Sequence, residues 1–300
     1  MRLPPLLLAP VERLAADLLR PPEGMDLDFA APPGEPALVP PDSVSWRVFS
    51  NPAVLFIGGV AAVLLELAEP RVRHGVWDHS GFRTDPLLRL RRTGLAAMMS
   101  VYGPASAARA MIEGVNRAHA RIAGVTDRGV PYRAHDPELL DWVQATAAWG
   151  FLTASTRYVR PLSRAERDAY YAEGKPVAAL YGATGAPDSE AALDRLFARF
   201  EPLLEPSATL DEFLGIMAKV KLLPGPAGPV QKLLIAAAID VLPPRIAAGL
   251  GLAGRGLAPW QRPLVRTLAR TAARLPLRNA PPAQACRRLG LVEDWPYREA

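Results

Sequence analysis

The 300-residue chain has a single cysteine, Cys286. One thiol excludes an intrachain disulfide and a cysteine-based zinc site, and it gives no sign of secretion. Lysine is almost as scarce: Lys175, Lys219, Lys221 and Lys232 are the whole complement, so the net charge of +5 rests on arginine. Histidine occurs only at positions 74, 79, 119 and 135. Long apolar runs are missing too. The most hydrophobic stretch, Ala53 to Leu65, ends at Glu66 and contains Gly58 and Gly59. It falls short of the ~20 residues of a bilayer span and reads as a buried core helix. The N-terminal run Met1 to Pro10 is broken by prolines and lacks a small-residue cleavage pattern, which argues against a signal peptide. These features lead us to expect a cytoplasmic protein.

Several catalytic signatures are also absent. There is no GxGxxG after a strand, no P-loop, no HExxH, no paired-carboxylate ExxH motif and no GxSxG. Their absence argues against dinucleotide, nucleotide-triphosphate, zincin, carboxylate di-metal and α/β-hydrolase chemistry. Asp78-His79-Ser80 is not a fragment of a triad, because adjacent residues on a helix or turn point apart.

What is present is apolar mass and helix punctuation. Hydrophobic residues make up 50% of the chain, enough for a sizeable core. There are 32 prolines, roughly twice the usual ~5% share, and ten of them fall in the first 45 residues, which predicts an irregular arm lying on the domain. Asp85-Pro86 and Asp136-Pro137 each place a capping carboxylate before a proline in the first helical turn, where its missing N–H costs nothing. Ser163 to Glu166 and Thr209 to Glu212 read as capping boxes. Helices are expected near 53–68, 86–101, 104–123, 137–157, 164–173, 189–202, 210–220, 229–241 and 259–274. No alternating β-branched run and no hairpin signal appears, so no strands are expected. The predicted class is all-α: a single compact multi-helix domain with a proline-rich N-terminal arm.

Two helices carry the candidate chemistry. Met111, Val115, His119 and Ile122 follow helical spacing, which turns the His119 imidazole inward. On spacing alone it is either a core histidine or a ligand. In the preceding helix Arg89, Arg92 and Thr93 share one face that continues into alanines. Such a face suits carboxylates such as haem propionates, or a bound oxygen to be polarised. It reads equally as a solvated basic face or, with Arg91, as a phosphate strip. The cluster is short and lacks interleaved aromatics, so nucleic acid is not expected as a partner.

In order, the run Leu67-Ala-Glu-Pro70, Gly75 to Pro86, Arg89-Leu-Arg-Arg92-Thr93 and Val101-Tyr-Gly103 resembles the MpaB-type oxygenase family. That family shares its catalytic domain with the rubber oxygenases (latex clearing proteins). The likeness continues through Val115, His119 and Gly124, Tyr132 to Pro137, Trp142 to Thr146, and Pro161 to Tyr170. It covers roughly residues 46 to 275, which would make 1–45 an arm and 276–300 a tail packed on the domain. The resemblance implies an all-α fold holding haem b, with His119 matching the proximal iron ligand. The family's distal Arg-x-x-Lys-Thr segment matches Arg89, Arg92 and Thr93, with arginine in place of lysine. Asn116, where rubber oxygenases have arginine, and Thr146 fall among cofactor-binding positions. Members commonly carry histidine where this chain has Glu69 and Gln144. His79 would be structural or support the ligand.

The expected function is therefore a haem-b-dependent oxygenase or oxidoreductase. O₂ would be activated at iron held by His119, and the substrate would be a small apolar molecule, with Met98, Met99, Trp149 and Phe151 as candidates for its wall. The alternative is a non-catalytic haem-binding or haem-free helical protein of the same fold. A third reading places Leu233 to Leu242 and the arginine-rich segment 262–278 on a membrane surface. An ordinary packed helix pair is the simpler account of those residues.

Overall fold

The computed structural model describes residues 27–221, 228–274 and 277–297. Three of its longest helices start where a short polar side chain precedes proline. Asn51 accepts from the amides of Ala53 and Val54 ahead of α2. Asp85 accepts from Leu88 ahead of α4, and Asp136 from Glu138 ahead of α6. In each case the proline occupies a position whose amide would have had no partner.

The order is α1 (Val44–Phe49), α2 (Pro52–Ala68), α3 (Pro70–Trp77), α4 (Pro86–Tyr102) and α5 (Ala105–His119). Next come β1 (Ala123–Val125), β2 (Pro131–Arg133), α6 (Pro137–Tyr158), α7 (Arg164–Leu180) and α8 (Glu190–Phe200). The chain continues through α9 (Ala208–Lys219), α10 (Gly228–Asp240), α11 (Pro244–Gly249), α12 (Gln261–Ala272) and α13 (Pro281–Arg288). Thirteen α-helices among the described residues make the class all-α, as expected.

α2 is the axis of the molecule. Val54, Ile57, Leu64, Leu65 and Leu67 along it are fully buried, and it packs chiefly along α6, with α1, α3, α9, α10 and α12 around the remaining faces. Gly58 and Gly150 allow the two backbones to meet: a Cβ on Gly58 would lie 2.7 Å from the carbonyl carbon of Gly150 and from Cα of Phe151. Trp142, stacked on Phe200 at 4.5 Å between centroids, fills the next layer. Side chains of this size contribute about 2–3 kcal/mol each when buried. Among the described residues no single helix is long and apolar enough to cross a membrane; α2 and α3 together reach that length but bend by 111° at their junction.

The structure corrects several expectations. Residues 120–123 leave the helix after His119, and an antiparallel two-stranded ribbon follows, with Gly124 opposite Tyr132. A Cβ at Gly124 would come within 2.6 Å of the Tyr132 hydroxyl, so glycine is what admits the aromatic ring there. Thr209 to Glu212 is not a capping box. α9 begins at Ala208 with Ser207 as cap, and the Glu212 carboxylate is held by Arg83 at 2.9 and 3.1 Å. By contrast the Ser163–Glu166 box is formed in both directions. The helix predicted to stop at 173 runs through Pro176 to Leu180. Short helices over 44–49, 70–77, 244–249 and 281–288 were not anticipated.

The proline-rich arm falls partly outside the described residues, which begin at 27. From there to α1 it is irregular, with Phe29 and Val39 buried in the core. Arg288, 3% exposed, fastens it: its guanidinium donates to the carbonyls of Phe29 (2.6 Å), Glu35 (2.8 Å) and Tyr102 (2.7 Å).

Candidate active site around Glu66, Arg89 and His119

The carboxyl that ends the apolar run of α2 is the centre of a polar cluster. Glu66 faces Thr146, which is wholly buried on α6 and shares its hydroxyl between the Val143 carbonyl at 2.9 Å and Glu66 Oε1 at 3.4 Å. Burial pushes the Glu66 carboxyl up to about 7, against the pull of Arg89 and Thr146 in the other direction. Glu66 nevertheless keeps some accessible surface. Half-buried apolar residues line the same faces of the surrounding helices: Phe56 and Val63 on α2, Met111 and Val115 on α5, Val143 and Ala147 on α6.

Arg89 links the carboxyl to the imidazole. Burial lowers its pKa, Glu66 raises it and Arg92 lowers it again. Its Nε is buried with no hydrogen-bond partner. His119, the last residue of α5, is held below the ordinary imidazole value by burial first, then by the positive charge of Arg89 and by His135. Its Nδ1 is likewise buried without a partner. An imidazole kept neutral, with a ring nitrogen that bonds to no protein group, is in the state a metal ligand requires.

Each of the other residues singled out from sequence has a definite place. Arg92 is exposed, near enough to Arg89 to act on it. Thr93 is exposed and donates its hydroxyl back to the Arg89 carbonyl at 2.9 Å. Asn116 donates to the Leu180 carbonyl at 2.8 Å and so ties α5 to the end of α7. On α5 the fully buried positions are Ala108 and Ile112; the stripe of Met111, Val115 and His119 lies at the border, and Ile122 is beyond the helix. Glu69, 2% exposed, caps α3 through Val72 N at 2.8 Å and takes Arg71 at 2.6 Å. His79 Nε2 shares a hydrogen bond with the Tyr132 hydroxyl at 3.0 Å.

Met98, Met99, Trp149 and Phe151 do not form one wall. Met98 and Met99 are core, Met99 resting on Gly103. Trp149 packs on Phe197 and lines a separate cleft, while Phe151 packs tilted against Phe49 over Gly58. Glu66 and His135 join the site without having been singled out in the sequence. The available signal was a lone carboxyl closing a thirteen-residue apolar run.

The family model for the ER-bound oxygenase mpaB/B'/rubber oxygenase catalytic domain matches residues 46–275. The chain belongs to this family. No curated protein and no solved structure matches it. The span of the mpaB/rubber oxygenase domain contains α2, α4, α5 and α6 and therefore all five clustered residues, Glu66, Arg89, His119, His135 and Thr146. The protein is thus a member of an oxygenase family with a neutral imidazole, a guanidinium and a raised carboxyl gathered inside the shared domain.

Glu66 has a consequence for stability. Its folded-state pKa of about 7 stands above the ordinary 4.5. Between those values the unfolded chain gives up the proton and the folded one keeps it, so stability falls as pH rises through the window and levels off above it. At roughly 1.4 kcal/mol per pH unit the ceiling is about 3 kcal/mol. Glu66→Gln is expected to flatten this slope, read as the urea midpoint at pH 5 and pH 8. A slope equal to wild type would place the titration elsewhere.

Proposed function

We propose that this protein is a haem-b-dependent oxygenase acting on a small apolar substrate, with His119 as the protein ligand to iron. The observation that carries the reading is the His119 imidazole, neutral and with an unpartnered buried nitrogen, in the field of Arg89, whose charge also acts on Glu66. Among the described residues no three His, Cys, Asp or Glu side chains gather into a metal cage. Haem needs no such cage, because the porphyrin supplies four of the iron's ligands and the protein one or two.

When bound, haem supplies iron that binds and activates O₂. The chain's own residues do the rest. His119 contributes a lone pair without first losing a proton. Arg89 and Arg92 place guanidiniums where propionate carboxylates or a polarised oxygen would need them. Glu66, poised near neutrality, holds or releases a proton at its carboxyl beside Thr146. The half-buried apolar stripe excludes water and accommodates an apolar substrate with an electron-rich group such as a C=C bond.

The test is an absorption spectrum of the purified protein, as isolated and after addition of hemin and reductant. A Soret band that shifts on reduction and saturates at one haem per chain is expected. A flat spectrum after reconstitution would leave a haem-free member of the family. Arg92→Ala is expected to keep haem but release it about fivefold faster, the equivalent of about 1 kcal/mol for an exposed ion pair. Transfer of haem to apomyoglobin measures that rate. Unchanged release and unchanged autoxidation would leave Arg92 as a solvated surface charge.

A further inference from the structure

Away from the Glu66 cluster, the C-terminal half of α6 forms a cleft with α7, α8 and α12, of about 500 Å³. That lies within the ~300–1,000 Å³ typical of small-molecule sites. One end is apolar, with Trp149, Leu152 and Leu193. The other end carries Arg266 and Arg270, one turn apart on α12. From Val159 back to Trp149 the cleft follows α6 for about 15 Å, at ~1.5 Å of rise per residue.

The charges in this cleft do not all cancel. Arg160 is paired with Glu166 at 2.6 Å, Arg167 with Glu190 at 2.6 Å, and Arg157 with Asp240. Arg266 and Arg270 have no carboxylate partner among the described residues. Each is steered by one Nε–H, donated to the Arg157 carbonyl (3.4 Å) and the Val159 carbonyl (3.0 Å) respectively. Among the described residues their remaining N–H groups have no partner. Against these two positive charges stands Asp194, exposed on α8 at the rim. The Thr156 hydroxyl, also in the lining, is shielded from water and has no hydrogen-bond partner.

We propose that this cleft binds an anionic amphiphile, its carboxylate or phosphate head held by Arg266 and Arg270 and its alkyl tail lying along α6 toward Trp149. A guanidinium pair on adjacent turns suits a planar carboxylate or a phosphate, and each contact is charge-assisted. The Thr156 hydroxyl gains a partner by rotating toward the head. At the apolar end Trp149 is half-buried, and the buried Leu152 and Leu193 form the floor behind it. The site is independent of haem binding, so either proposal can fail alone.

The test is titration calorimetry of the full chain with decanoate, alongside decan-1-ol and inorganic phosphate as the tail-only and head-only probes. Decanoate is expected to bind at one per chain and to outcompete both. Arg266→Gln with Arg270→Gln is expected to weaken it at least roughly tenfold, as two charge-assisted contacts require. Asp194→Asn, which removes the opposing charge, is expected to tighten it a few-fold. Thr153→Trp, which fills the cleft from α6, is expected to block binding while circular dichroism stays helical. Equal affinity for decan-1-ol, full competition by phosphate, or wild-type affinity in the double arginine variant would each overturn the assignment. So would flotation of the protein on phosphatidylglycerol vesicles without binding of free decanoate, which would make the arginines a membrane contact.

Discussion

His119→Ala is expected to abolish haem retention and leave the helical circular dichroism almost unchanged. The imidazole makes no hydrogen bond within the described chain, and it sits in the last turn of α5, where alanine is at least as good a helix former. Its loss should therefore cost the fold less than about 1 kcal/mol. Haem, by contrast, would lose its bond from protein to iron. His135 is the natural control, because it acts electrostatically on His119 while remaining exposed. His135→Ala should retain haem and raise the His119 pKa only slightly. Haem retained by His119→Ala and lost by His135→Ala would move the ligand to the loop before α6.

Gly58→Ala is expected to be strongly destabilising. The added Cβ would meet two backbone atoms of α6 at 2.7 Å, and backbone cannot swing aside as a flexible side chain would. α2 and α6 must then separate, loosening the layers on either side, for a cost of about 3 kcal/mol or more. At roughly 2 °C per kcal/mol for a chain of this size, the melting temperature should fall by at least about 5 °C. Gly215→Ala on α9, with nothing within 4 Å of its new Cβ, should be neutral or stabilising by about 0.5–1 kcal/mol. Equal melting temperatures for the two variants would mean that the α2–α6 crossing is not tight.

Helix starts were legible because cap and proline sit side by side in the chain: Asp85-Pro86 and Asp136-Pro137 are local signals, settled by backbone chemistry within one turn. The hairpin was not, since three-residue strands carry no periodicity and are fixed by Tyr132 packing over Gly124 and against His79. The same distinction runs through the site. Arg89, Arg92, Thr93 and His119 stand out because motif and spacing single them out. Glu66 acquires its character from burial among helices distant in the chain, against the pull of Thr146, eighty residues away, and of Arg89 on another helix. Nor does sequence show that the Glu212 carboxylate leaves its own helix end for Arg83. Competition between partners is decided by tertiary geometry, which has no local trace.

The Arg288 clasp bears on how the protein is born. Its three acceptors, Phe29, Glu35 and Tyr102, have all emerged from the ribosome long before the guanidinium that binds them is synthesised. Until Arg288 is made those carbonyls must be satisfied by water, and the segment is held through Glu35 and Pro36, which accept from Ser106 and Ala105. The segment of Phe29 and Glu35 and the helix that carries Arg288, 253 to 259 positions apart, thus settle together. A nascent chain stalled before position 288 would carry the oxygenase-family domain with the segment of Phe29 and Glu35 unclasped.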